Sequence, residues 1–273
     1  MKLTISHRTD YHYDTPPSYG LQRVRLWPVS GPGQSVVSWD VSYEGAKREA
    51  EYKDHHGNLV ALTSLNPDQT LLSITCKGVI DTQSNLGVVG KHTDYAPLWY
   101  FVRPTSLTSP GPRIEALIEA LGSDFDDALA QMHALSALIV TKVAYQPGET
   151  NAETTSEAAL GIGRGVCQDH AQIFVSAARR MGFPARYVSG YLMMNDRTEQ
   201  DATHAWAEVH LDGLGWVGFD ISNGISPDDR YVRIATGRDY RDAAPIAGMR
   251  FGNDDETLSV SIQIQQDQAQ HQQ

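Results

Sequence analysis

The chain has 273 residues and a formal net charge of −11, from 22 basic and 33 acidic side chains. An acidic surface repels phosphate backbones and anionic lipid, which argues against nucleic acid and membranes as partners. No stretch has the apolar length of a bilayer span, and the opening MKLTISHRTDYHY lacks the apolar run of a signal peptide, so a cytoplasmic location is expected. Two cysteines, Cys76 and Cys167, make no disulfide framework and fit a reduced compartment.

Period-two patterning dominates the first third of the chain. Leu3, Ile5, Tyr11 and Tyr13 alternate with polar residues, as do Val37, Trp39, Val41 and Tyr43, and TLLSITCKGVID carries Cys76 on a further strand. Pro16-Pro17, Gly31-Pro32-Gly33 and His56-Gly57-Asn58 punctuate these runs as turns. A stretch with Pro97, Pro104, Pro110 and Pro112 reads as a linker, whose aromatics Tyr95, Trp99, Tyr100 and Phe101 are expected to dock on the next module. From Arg113 the period becomes helical: Ile114, Leu117, Ile118 and Leu121, then Leu129, Met132, Leu135, Leu138 and Ile139. TTSEAAL predicts a short capped helix with Glu157 in its first turn. A third helix is expected from Cys167, with Ala171, Phe174, Val175, Ala178 and Met181 facing inward.

ARYVSGYLMM, HAWAEVHLDG, GWVGFDIS and ETLSVSIQI then read as strands. The order predicts an α+β protein. Residues 1–88 form an antiparallel β-sandwich module and 89–112 an extended linker. Residues 113–264 form a core of helices packed on an antiparallel sheet, with the last strand included. Residues 265–273 are expected to form a disordered, glutamine-rich tail. The acidic NDDE (253–256) reads as a solvated turn.

The most informative stretch is GIGRGVCQDHA, residues 161–171. Its glycines alternate, which is not the spacing of a dinucleotide loop, and no Lys-Ser/Thr follows as in a phosphate loop. They read instead as a sharp bend into a helix. Cys167 then stands at a helix N-terminus, where unpaired N–H groups and positive potential favour thiolate over thiol. Read alone, Cys167 is also consistent with a small buried thiol, the reading kept for Cys76. A thiolate nucleophile needs a base and an orienting partner. His204 opens one strand and Asp220 closes the next across the Asp212-Gly213 turn, so the two are expected as cross-strand neighbours. His210, near the turn, is a weaker candidate. Cys167 and His170 lack the further ligands zinc needs, so no metal and no cofactor are expected.

GRGVCQDHAQIFVSAARRMGFPARYVSGY, THAWAEVHLDGLGWVGFD and SNG together resemble the core of the bacterial transglutaminase-like superfamily. HRTDYHYDTP to DHHGN resembles the β module preceding that core, and GRDYRDAAPIAG its C-terminal region. The resemblance spans nearly the whole chain. It implies a papain-like transglutaminase core in which Cys167 is the nucleophile, His204 the general base and then acid, and Asp220 the orienting residue. The implied chemistry passes an acyl group through a thioester to water or an amine. The Cys167 N–H would supply one oxyanion donor, and Gln131, His133 and Tyr145 are upstream candidates for a second. Trp206 and Asp169 belong to the motifs and read as packing and helix-start charge. A protein or peptide substrate is expected. Hydrolysis leads, ahead of transamidation and of a catalytically idle binding module. The N-terminal module would position substrate, cover one side of the cleft or mediate a homodimer.

Overall fold

Alternating apolar side chains build the first strands. In the computed structural model, which describes residues 1–93, 95–251 and 255–267, these are β1 (Lys2–Tyr13), β2 (Tyr19–Trp27), β3 (Gln34–Glu44), β4 (Ala46–Lys53), β5 (Leu59–Leu65), β6 (Leu71–Thr82) and β7 (Val88–Gly90). In β1, Leu3, Ile5, His7 and Thr9 are buried while the residues between them face outward. Helical and short extended elements follow: α1 (Pro112–Leu121), α2 (Ala128–Lys142), β8 (Ala144–Tyr145), α3 (Ser156–Ile162), β9 (Arg164–Gly165) and α4 (Cys167–Arg180). The chain then returns to strands as β10 (Ala185–Leu192), β11 (Glu199–Gln200), β12 (His204–Leu211), β13 (Gly215–Phe219) and β14 (Tyr231–Gly237). It ends with α5 (Tyr240–Ala243), β15 (Ile246–Phe251) and β16 (Glu256–Gln266).

Two sheets, ordered β11-β16-β1-β6-β3 and β15-β2-β5-β4, enclose Leu3, Ile5, Val24, Leu26, Leu72, Ile74, Ile80, Ile262 and Ile264. A third sheet, β14-β10-β12-β13-β7, carries the helices. α4 lies against β12, and Ile173, Phe174, Ala177 and Ala178 share a core with Ala207, Val209, Val217 and Phe219. Ile114, Leu117, Met132, Leu135 and Ile139 of α1 and α2 close that core from the other side. Every residue from Cys167 to Arg179 except Gln168 is therefore buried. This is an antiparallel β module joined to a helix-on-sheet core, the α+β architecture expected from the residue pattern.

The division between the halves differs from the expected one. β16 pairs with β1, with Ile5 opposite Ile264, and β15 pairs with β2, with Val24 opposite Ile246. The last strand, expected in the 113–264 core, thus belongs to the N-terminal sandwich. Alternation identifies a strand and its inward face but not its neighbour. β7, at the expected start of the linker, instead adds to the core sheet beside β13. Of the expected tail, Gln265 and Gln266 extend β16, and residues 268–273 lie outside the described residues. Of NDDE, Asn253 and Asp254 lie outside them too, while Glu256 opens β16 and pairs with Arg250 at 3.0 Å.

The linker docks through a short turn (Leu98–Val102) that buries Phe101 against Trp216, their ring centroids 5.2 Å apart. Arg179 of α4 fixes this turn by donating to the Phe101 carbonyl at 2.8 Å and to Thr108 Oγ1 at 2.9 Å. Tyr95 and Trp99 remain exposed. Cys76 lies in the sandwich core, where burial pushes its thiol up to about 12. No helix among the described residues is long and apolar enough to cross a membrane.

Candidate active site

The glycine-rich bend sets the start of α4. Gly163 ends α3, and the chain then runs as β9 in parallel register with β8, Tyr145 opposite Gly165. The Asp169 side chain folds back, and its Oδ2 accepts from the Val166 N–H at 2.8 Å and from the Thr150 hydroxyl at 2.7 Å. A Cβ at Gly165 would stand 2.6 Å from that oxygen, so only glycine leaves room for this cap. Burial raises the Asp169 carboxyl above its usual range, against those same hydrogen bonds. Glu157 does not complete a cap on its own helix. Thr155 caps α3, and Glu157 instead accepts from the Arg113 N–H at the start of α1.

Cys167 is the first residue of α4 and retains 9% exposure. His204 opens β12 with 8% exposure, and Asp220 follows β13, fully buried. The β12–β13 register pairs Ala207 with Phe219. Continued, it sets Asp220 opposite Trp206, so His204 and Asp220 are diagonal neighbours on one face rather than directly opposed. His204 Nε2 donates to Asp220 Oδ2 at 2.6 Å. That leaves Nδ1 as the second ring nitrogen, and Cys167 stands near enough for its charge to act on the His204 ring. The structure thus brings Cys167, His204 and Asp220 together in that order.

Asp220 is held by more than His204. Its Oδ2 also accepts from the Tyr231 hydroxyl at 2.6 Å and the Asn223 amide at 2.7 Å, and its Oδ1 from the Asn223 N–H at 3.2 Å. Burial alone would raise this carboxyl, but these donors outweigh it and hold it below the usual range. Burial would likewise lower His204. The hydrogen bonds and charges of Asp220 and Cys167 win, and its pKa is raised to about 10. Behind the pair, the Trp206 ring stacks on His204 at 6.3 Å and meets the edge of Tyr231 at 5.5 Å. It lies over Gly190, where a Cβ would come within 2.4 Å of it.

His170 is a brace. Its Nε2–H donates to the Val143 carbonyl at 3.0 Å and its Nδ1 accepts from Ser222 Oγ at 2.8 Å, tying α4 to the end of α2 and to the loop after Asp220. Both ring nitrogens are occupied, so it offers none to a metal. Among the described residues, no cluster of three or more His, Cys, Asp or Glu is placed to hold one. Of the three upstream candidates, Gln131 reaches Met181 Sδ at 3.7 Å and His133 packs edge-on against Phe219 at 5.0 Å. Tyr145 stands at the site. Burial, then the nearby Cys167 and Asp220 charges, raise its phenol. His210 lies at the far end of β12 against Trp216.

Residues 116–221 match the family model of the transglutaminase-like superfamily, and residues 3–81 match that of the bacterial transglutaminase-like N-terminal region. An uncharacterized protein of Mycobacterium leprae is 30% identical over 276 residues, spanning 96% of this chain and 98% of that protein. The chain belongs to the transglutaminase-like superfamily. An uncharacterized Mycobacterium tuberculosis relative is 27% identical over 96% of this chain and 92% of its own length. In fold, this superfamily member is similar to a crystal structure of a presumed cysteine protease from Cytophaga hutchinsonii, with TM-score 0.76 and 22% identity over 98% and 92% of the two chains. The residue around Asp220 that the sequence did not single out is Tyr231. Tyr231 opens an ordinary apolar strand, and only the fold shows that its hydroxyl reaches Asp220.

Proposed function

We propose that this transglutaminase-like protein is a cysteine hydrolase that cleaves a peptide or carboxamide bond through a thioester on Cys167. The observation that supports it most is the His204–Asp220 hydrogen bond beside Cys167, with the His204 pKa raised to about 10. His204 takes up the Cys167 proton, and the helix start favours the resulting thiolate. The thiolate attacks the carbonyl carbon. The C–N bond breaks as His204 gives its proton to the leaving amine, and the acyl group stays on sulfur. Neutral His204 then takes a proton from water as the water oxygen attacks the thioester. The C–S bond breaks, the acid leaves, and the thiolate–imidazolium pair is restored.

Charge on the tetrahedral oxygen needs donors. Cys167 is the first residue of α4, so its N–H has no acceptor within the helix. Tyr145, whose ring lies beside His170 and whose phenol is protonated at neutral pH, is the second donor in this reading. The substrate class is tested by incubating glutaminyl peptides with and without a primary amine. Ammonia or peptide release, unchanged by amine and lost in Cys167→Ala, supports hydrolysis. Amine incorporation in proportion to ammonia released overturns it in favour of transamidation.

A further inference from the structure

We infer that Gln34 and Asn58, two amide side chains of the N-terminal sandwich, are positioning residues for the Asp220–His204 pair, acting through β14. β14 is the outer strand of the core sheet, and among the described residues it pairs with β10 alone. The two amides occupy its other edge. Gln34 Oε1 accepts from the Arg233 N–H at 2.8 Å, and its Nε2 donates to the Arg233 carbonyl at 3.0 Å. Asn58 repeats this three residues on, accepting from the Thr236 N–H at 2.9 Å and donating to the Thr236 carbonyl at 2.8 Å. Each amide thereby reproduces the two-bond exchange of an antiparallel strand pair.

What lies between and beside these clamps connects them to the site. The β10–β14 register slips at Ser189/Gly190, leaving Ile234 as an extra residue in β14. The bulge sends Ile234 into the sandwich core and Ala235 into the cluster around Cys167. Two residues before the first clamp, Tyr231 donates to Asp220. The clamps are anchored in turn. Gln34 also donates to the Val29 carbonyl at 2.8 Å. Asn58 donates to Asp54 at 3.0 Å, and the same carboxylate accepts from the His56 and Asn58 N–H groups. The DHHGN turn, whose role the sequence left open, is thus a fixed peg that seats the sandwich on the edge of the catalytic sheet.

The inference rests on the roles proposed above for His204 and Asp220. Asp220 and Cys167 are the charged groups that face His204, and the Trp206 and Tyr231 rings enclose it. Burial alone would lower His204, and the Asp220 hydrogen bond opposes it. A β14 released from its clamps carries Tyr231 away, loosens Asp220, and lets the His204 midpoint fall. The experiment follows the His204 ring by NMR titration in wild type, Gln34→Met, Asn58→Leu, Tyr231→Phe and the Gln34→Met/Tyr231→Phe double variant. The expected result is a fall of ~0.5 unit or more in each single variant, with the double variant falling no further than Tyr231→Phe. If Gln34→Met does not fold, Gln34→Glu, which keeps the acceptor and loses the donor, is read in the same way. Folded clamp variants with an unmoved His204, or shifts that add in the double variant, overturn the inference. An absence of Cys167-dependent hydrolysis would instead overturn the proposed function, and leave the titration result standing.

Discussion

Asp220 collects three donors on a single carboxylate oxygen, and that concentration has consequences for substitution. Asp220→Asn keeps the shape but cannot hold the imidazolium, and kcat is expected to fall ~10³-fold or more while the fold survives. Steady-state kinetics beside circular dichroism checks this. Tyr145→Phe removes one oxyanion donor and should lower kcat ~10²-fold with little change in KM. An equal loss in KM alone would place Tyr145 in substrate binding. Gly165→Ala drives a methyl into the Asp169 carboxylate. The cap must then open, at a cost of about 1–3 kcal/mol in urea denaturation, and Cys167 should react more slowly with alkylating reagents.

At the scale of elements, α4 and the β12–β13 hairpin carry Cys167, His204 and Asp220, and both were visible in the sequence. The alternating glycines announced a bend, the apolar spacing after Cys167 a helix, and the Asp212-Gly213 turn a hairpin that brings His204 near Asp220. What periodicity could not give was partnership. Leu258, Val260, Ile262 and Ile264 mark a strand whichever sheet it joins, and the pairing of β16 with β1 depends on contacts across the whole chain. Tyr231, Gln34 and Asn58 were hidden for the same reason. A hydroxyl or amide looks like any polar residue until the fold shows which backbone or carboxylate it meets. Likewise Glu157 was legible as a first-turn residue of α3, but not its partner, the Arg113 N–H of α1, 44 residues away.

For the whole molecule, the sandwich and the core are interlocked rather than strung in series. β15 and β16 complete the N-terminal sheets, β7 completes the core sheet, and Tyr191 of β10 buries its hydroxyl against His7 at 2.8 Å and Cys76 at 3.3 Å. Residues 113–267 expressed alone are expected to lack a cooperative thermal transition, and the full chain to show one. Stability should also follow the charge on His204. Its folded pKa, about 10, lies above the ordinary imidazole value of 6.5 that it regains on unfolding. Its contribution is therefore complete below pH 6.5 and is lost as pH rises through about 10. Denaturation midpoints should drop more between pH 8 and pH 10.5 (about these values) in wild type than in His204→Gln.

In the proposed mechanism His204 and Asp220 make Cys167 a reactive thiolate. Site-resolved alkylation with iodoacetamide at about pH 7 tests it most directly. Cys167 is expected to react ~100-fold or more faster than Cys76, and His204→Ala to slow Cys167 at least ~10-fold in a folded protein. Equally slow reaction at both cysteines, or a Cys167 rate indifferent to His204→Ala, would contradict it.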